Sequence, residues 1–316
     1  MHPQPSETRH GHRGRRAVLG LGAAVAATAV TAGAGGPAFA ATPDDRAADA
    51  GRHPALAALE REHSARLGVY ARNLSTGRTV RYRAEERFPI CSVFKTVAVA
   101  AVLRDLDRGG EFLARRIRYT AADIERAGGA PVTGLPGNLA NGMTGAELCA
   151  AAIEYSDNTA ANLMLRELGG PPAVTRFARS IGDRVTRLDR WEPELNSAEP
   201  DRATDTTTPY AIGATYRRLV LGDALPPRGR ELLTTWLRGN TTSAHRFREG
   251  LPPDWALGDK TGTGSYGTSN DVGIAWTPRG VPVVLAVLST KPADPGAPKD
   301  DLLVARTAAL LVPVLA

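Results

Sequence analysis

The sequence predicts an α+β protein of two lobes, an antiparallel sheet flanked by helices and assembled from both chain ends, with an all-helical lobe inserted between them. Two observations carry this. Strand-type segments occur only near residues 67–83 and again from 256 to 288, whereas the chain from 92 to about 237 reads as helices separated by Gly and Pro. A cleft between two such lobes is where a site is expected.

Residues 1–40 stand apart from this pattern. A basic stretch ending in Arg15-Arg16 leads into an apolar run and then small residues closing on Ala38-Phe39-Ala40, which reads as an export signal cleaved near Ala40-Ala41. Arg15-Arg16 before Ala17-Val18-Leu19 resembles a twin-arginine signal, with an ordinary Sec signal as the alternative. The apolar run is too short and interrupted for a permanent membrane span. A polar linker, 41–52, follows.

The catalytic domain is then expected over 53–316, with the sheet lobe from 53–87 and 238–316 and the helical lobe from 88–237. A first helix is read over 54–67, from Leu56, Leu59, Ala65 and Leu67. Residues 67–74 and 79–83 are β-rich around Ser75-Thr76-Gly77-Arg78, a hairpin signal. Helices are expected over 93–106, 144–154, 158–168, 209–220 and 229–237. Strands return at 256–263, 272–276 and 281–288, and a helix over 300–311 closes the chain.

Composition bounds the function. At 316 residues and 42% hydrophobic the chain can bury a substantial core. Removing Arg9, Arg13, Arg15, Arg16 and Glu7 with the first 40 residues leaves 35 basic and 32 acidic residues, and so small a surplus implies no nucleic-acid partner. His53, His63 and His245 lack ligand spacing, so no metal and no cofactor is expected. Cys91 and Cys149 are the only cysteines of an exported chain. Sequence alone does not show whether they meet. Only four basic residues are lysines (Lys95, Lys260, Lys291 and Lys299), which suggests sites where arginine's permanent charge is unsuitable.

Three short motifs carry chemistry. Ser92-Val93-Phe94-Lys95 puts a hydroxyl and an amine on one face at a helix start, where a lysine that can shed its proton could activate the serine. In Ser156-Asp157-Asn158 the hydroxyl could relay a proton and the amide could bind a carbonyl; simple N-capping is the alternative. Lys260-Thr261-Gly262 sits in a strand, with a cation and a hydroxyl for an anion and a glycine that permits close approach. An edge-strand lysine that deters aggregation is the alternative there.

In this order and at these separations the three motifs resemble those of the class A serine β-lactamases. The resemblance covers residues 53–316 and takes in Arg87-Phe88-Pro89-Ile90 before the serine and Arg190-Trp191-Glu192-Pro193-Glu194-Leu195-Asn196 as the family's omega loop. It implies a serine β-lactamase-like fold and hydrolysis of the amide bond of penicillin-type antibiotics through a serine acyl-enzyme. It implies Ser92 as nucleophile, Lys95 and Ser156 as proton carriers, and Glu192 with Asn196 as the pair that aims the deacylating water. Asn158 would bind the substrate side chain, Lys260, Thr261, Gly262 and Thr263 its carboxylate region, and the backbone N–H groups of Ser92 and Thr263 the oxyanion. Arg190 and Asp205 would clamp the omega loop.

The departures are as specific. Many relatives place a carboxylate-binding Arg where Ser269 stands here, and Arg246 matches the alternative source. Gly128-Gly129-Ala130 supply no aromatic at the cleft mouth. A disulfide of some relatives is excluded because the partner position of Cys149 is Val99, and Cys91 would face Gly264. A D,D-peptidase shares the acylation motifs but lacks a glutamate like Glu192, and a β-lactam receptor would carry a signalling domain or anchor. The expectation is therefore a secreted or periplasmic monomeric enzyme, acting on a small-molecule β-lactam, with no nucleic-acid partner and no stable membrane association after processing.

Overall fold

The computed structural model describes residues 53–316, so the expected export signal (1–40) and linker (41–52) lie outside the described residues. In chain order the elements are α1 Pro54–Glu62, β1 Arg66–Asn73, β2 Thr79–Tyr82, β3 Phe88–Pro89, a 3-10 turn Cys91–Val93, α2 Phe94–Ala101 with a π turn Val102–Leu106, α3 Glu111–Ala114, β4 Arg116–Ile117, α4 Ala121–Ala127 and α5 Pro136–Asn141. Then come β5 Met143–Thr144, α6 Gly145–Glu154, α7 Asn158–Leu168, α8 Pro172–Ser180, a 3-10 turn Glu194–Ser197, β6 Thr206–Thr207, α9 Pro209–Val220, α10 Pro227–Arg238 and α11 Phe247–Gly250. β7 Ala256–Gly264, β8 Thr268–Trp276, β9 Pro282–Thr290 and α12 Asp301–Leu315 complete the chain.

The two chain ends build one five-stranded antiparallel sheet in the order β2-β1-β9-β8-β7. Its central strand explains the unbroken apolar run Val283-Val284-Leu285-Ala286-Val287-Leu288. Successive side chains point to opposite faces, and here both faces are covered. Val283, Leu285 and Val287 join Leu56, Leu59, Leu303, Val304 and Leu311 from the terminal helices α1 and α12. Val284, Ala286 and Leu288 join Phe94, Val97, Leu148, Met164 and Ile212 in the core of the helical part. One continuous core therefore joins the inner sheet face to the helices.

Several details differ from the sequence reading. The first helix stops at Glu62, because Ser64 takes a left-handed backbone (φ +47) and Leu67, whose spacing imitated a helical position, is already in β1. The region 88–237 is helical except for two two-residue ladders, β3 with β6 and β4 with β5, too short to leave a periodic signal. Helices α9 and α10, assigned from sequence to the helical lobe, pack on the sheet. Gly213 of α9 lies so close to Tyr70 of β1 that a Cβ there would come within 2.7 Å of its ring.

β7 is the sheet edge, so every second backbone N–H faces away from β8. That edge meets the turn carrying Ser92 at very short range. A Cβ on Gly262 would sit 3.0 Å from Ile90 O and 3.2 Å from Cys91 Cβ, and one on Gly264 would sit 2.7 Å from Asn196 O. The two glycines let strand, nucleophile turn and omega loop converge.

Candidate active site

Ser92 lies in the 3-10 turn that feeds α2, after Cys91 in a left-handed conformation (φ +44). Its Oγ donates to Glu192 Oε1 at 3.4 Å. Lys95, one turn along and fully buried, lies 3.1 Å from the same carboxylate oxygen. The other oxygen, Oε2, accepts from Asn196 Nδ2. Asn196 Oδ1 is buried and, among the described residues, accepts from no protein group. Nucleophile, amine, carboxylate and amide thus meet at one point, although 100 residues separate Ser92 from Glu192.

The Lys95 ammonium is fully committed. Nζ donates to Ser156 O at 2.7 Å and Asn158 Oδ1 at 2.6 Å, and faces Glu192 at 3.1 Å, with Ser156 Oγ at 3.3 Å. An ammonium has three N–H donors, and these acceptors use all of them. Burial pushes the Lys95 pKa below the ordinary lysine value, and the Glu192 carboxylate opposes that shift. Ser156 takes a left-handed backbone (φ +56) that places its hydroxyl beside the amine.

The Ser156-Asp157-Asn158 motif does cap a helix, the alternative reading of it. Asp157 is the N-cap of α7, accepting from Ala160 N at 2.8 Å, and it also accepts from Val132 N and Thr133 N. Asn158, expected to bind the substrate side chain, accepts from Lys95 through Oδ1 and donates one of its two Nδ2 N–H groups to Ala127 O at 3.2 Å.

The omega loop is fastened twice. Asp205, buried, accepts from Arg190 Nε at 2.6 Å and from the backbone N–H groups of Asp189 and Arg190, while Arg190 also reaches Glu199. The second fastening was not anticipated from sequence. Asn162 of α7 accepts from Glu192 N at 3.0 Å and donates to Glu192 O at 2.9 Å, gripping the peptide of the residue whose carboxylate faces Ser92. Its spacing of four from Asn158 on one helix was the available signal.

On β7, Lys260 is fully buried and donates to Thr261 O at 2.9 Å. Burial, and then the nearby charge of Lys95, hold its pKa well below the ordinary lysine value. Thr263 is exposed, and its hydroxyl accepts from Arg246 Nη2 at 2.7 Å. Arg246 has donors only, so the Thr263 proton is free to point into the cleft. Arg246 itself is buried. Nε binds Asp301 at 2.7 Å and Nη1 binds Gly262 O and Asn270 O at 2.8 and 2.7 Å. Four of its five N–H donors are used within the protein, one of them on Thr263.

Behind β7, Asp259 and Asp271 form a buried pair. Burial raises both pKa values, that of Asp271 further because it also feels the charge of Asp259, beside which Arg248 lies at 3.6 Å. Asp271 is therefore the partner that keeps a proton.

The remaining sequence expectations are placed as follows. Cys91 and Cys149 are both buried and free, with Cys149 Sγ 3.4 Å from Met164 Sδ, and burial pushes both thiols up. A Cβ at position 264 would lie 2.8 Å from Cys91 Sγ, so Cys91 does face Gly264. Ser269 is buried, donates to Gly267 O and accepts from Asp300 N.

The model of the family described as "Beta-lactamase enzyme family" matches residues 52–314. A β-lactamase of Streptomyces lavendulae is 66% identical over 95% of this chain and 97% of its own length. The solved β-lactamase of Streptomyces albus G, also 66% identical, superposes with a TM-score of 0.83 over 84% of this chain and 99% of its own. A mutant of the class A β-lactamase of the last common ancestor of Gram-negative bacteria is 50% identical, with a TM-score of 0.76 over 82% of this chain and 97% of its own.

Proposed function

Since the chain belongs to the β-lactamase enzyme family, as a class A serine β-lactamase that hydrolyses β-lactams and confers resistance to them, we propose the following division of labour among its residues. The observation that carries it is the shared Glu192 oxygen, 3.4 Å from Ser92 Oγ and 3.1 Å from Lys95 Nζ, with the second oxygen held by Asn196.

Ser92 Oγ attacks the β-lactam carbonyl carbon as its proton passes to Glu192. Lys95 donates all its N–H groups in the resting arrangement, so it could act as base only after giving a proton to Glu192. The oxyanion is met by the backbone N–H groups of Ser92 and Thr263, at the positive end of a helix and on the open edge of β7. As the ring C–N bond breaks, the nitrogen takes the Ser156 hydroxyl proton, which Lys95 replaces, and Glu192 then passes the proton it took from Ser92 to Lys95, 3.1 Å away, restoring the carboxylate and the ammonium. Glu192 then removes a proton from a water oriented with Asn196. The resulting hydroxide attacks the acyl ester, and Ser92 leaves with the proton that Glu192 carries. One water is consumed and both proton carriers return to their starting state.

Lys260, Thr261 and Thr263 form the carboxylate cradle of this reading, which takes penicillin-type substrates. It differs from a D,D-peptidase by the carboxylate of Glu192 aligned on the nucleophile. Export, cleavage near Ala40-Ala41 and action as a monomer complete the proposal. Ser92→Ala should abolish both turnover and covalent labelling by a fluorescent penicillin while the folded circular-dichroism spectrum persists. Retained labelling in that variant excludes Ser92 as the nucleophile.

A further inference from the structure

We infer that Thr242 is a positioning residue for substrate recognition, one that draws the hydroxyl proton of Thr261 away from the cleft and so limits how tightly the site takes a carboxylate. The inference rests on the reading of β7 as the carboxylate cradle.

The direction of every hydrogen bond in this chain of groups is determined by its ends. Asn240 Nδ2 faces Asp259 Oδ2 at 2.9 Å. Asn240 Oδ1 faces the backbone N–H of Thr242 at 3.0 Å. A backbone N–H can only donate, so the amide cannot be turned round without setting two donors against each other. Asn240 Oδ1 also lies 2.7 Å from Thr242 Oγ1, and an amide oxygen can only accept. The single proton of the Thr242 hydroxyl is therefore committed to Asn240.

Thr242 Oγ1 and Thr261 Oγ1 lie 2.5 Å apart. With the Thr242 proton spent, Thr242 must be the acceptor and Thr261 the donor. The Thr261 hydroxyl consequently presents lone pairs, not a proton, to anything else that approaches it. Its neighbour Thr263 is arranged in the opposite sense, accepting from Arg246 and keeping its proton free. To donate to a substrate carboxylate, Thr261 must rotate its proton and leave Thr242 Oγ1 without a donor. The buried Asp259 thus biases the cradle through Asn240 and Thr242, with no contact to substrate.

The test is a kinetic split. Thr242→Val keeps the shape and removes the acceptor; Thr242→Ala does so with a smaller side chain, should the valine prevent folding; Thr242→Ser restores the acceptor. With benzylpenicillin, the Val or Ala variant should show a KM about three- to tenfold lower than wild type, the worth of one neutral hydrogen bond, with the change falling on KM and not kcat. Ser should match wild type. For the penicillin methyl ester, which lacks the carboxylate, kcat/KM should be the same in all four proteins. An unchanged or raised KM in Val and Ala, as a merely structural residue would give, overturns the inference, as does an equal response with the ester. If wild type fails to discriminate acid from ester, it is the cradle reading that fails. If it discriminates and Thr242→Val is silent, only the role of Thr242 is lost.

Discussion

Replacing Asn162 by Ala removes both hydrogen bonds that hold the Glu192 peptide, and the structure permits the cost to be worked out. Glu192 is 1% exposed, so its N–H and C=O would be left unpaired in a nearly dry place. Two such groups cost about 2–6 kcal/mol at ~1–3 each. The upper part of that range is discounted because Asn162, Arg190, Trp191 and Glu192 line a cavity of about 610 Å³ from which water can reach the freed groups. A loss of about 2–4 kcal/mol remains, or a fall in Tm of roughly 4–8 °C for a domain of this size. The Glu192 carboxylate would also lose its registration on Ser92, and a drift of about 1 Å costs on the order of 10²-fold in rate. Thermal unfolding by circular dichroism and steady-state penicillin hydrolysis measure the two effects separately. Tm and kcat both at wild-type values would refute the view that Asn162 holds the omega loop on the nucleophile.

Two further predictions concern pH. The Lys260 pKa is held low by burial and by Lys95, so its charge is lost at a pH below the ordinary lysine value of 10.5, and KM for penicillin should climb on that alkaline side. Lys260→Arg, permanently charged, should flatten the climb, and superimposable KM profiles would dismiss a role for that charge. Asp271, with a raised pKa in the fold, contributes stability that is present below the unfolded value of 3.8 and is lost as pH rises through the folded value. Asp271→Asn can donate to Asp259 without a proton to lose. The Tm difference, wild type minus variant, should therefore become more negative with rising pH; a difference independent of pH would mean that the pair holds no extra proton.

How much of this was legible in the sequence depended on range. β7, β8 and β9 could be read because their apolar content is local and strongly patterned, and Ser92, Lys95, Ser156, Lys260 and Thr261 could be read because each belongs to a motif three residues or so long. Residues that act through a distant partner could not. Arg246 was expected to meet substrate directly, yet Asp301 and two strand carbonyls claim most of its donors. Asn158 was read as an amide for a substrate carbonyl, and nothing in the sequence showed that its oxygen takes Lys95 and one of its N–H groups Ala127 O. Asp259 adjoins Lys260 in sequence, but its pairing with Asp271 exists only once β7 and β8 are in register. Thr242 and Asn162 had no motif at all, and their meaning comes from which donor faces which acceptor in the folded chain.

The measurement that bears most directly on the account is intact mass spectrometry of Glu192→Ala mixed with benzylpenicillin, alongside the amplitude of ring opening. Without Glu192, burial of Lys95 loses its strongest opposing charge, with Asp157 left as the weaker one. Its pKa should fall further, and the neutral amine can then take the Ser92 proton, so acylation survives at a reduced rate. No carboxylate remains beside Asn196 to activate and aim a water at the acyl ester. The account predicts a persistent species at the mass of protein plus penicillin and one stoichiometric burst of ring opening with no steady state after it. Continued turnover near the wild-type rate, with no adduct accumulating, would contradict the assignment of Glu192 as the deacylating base.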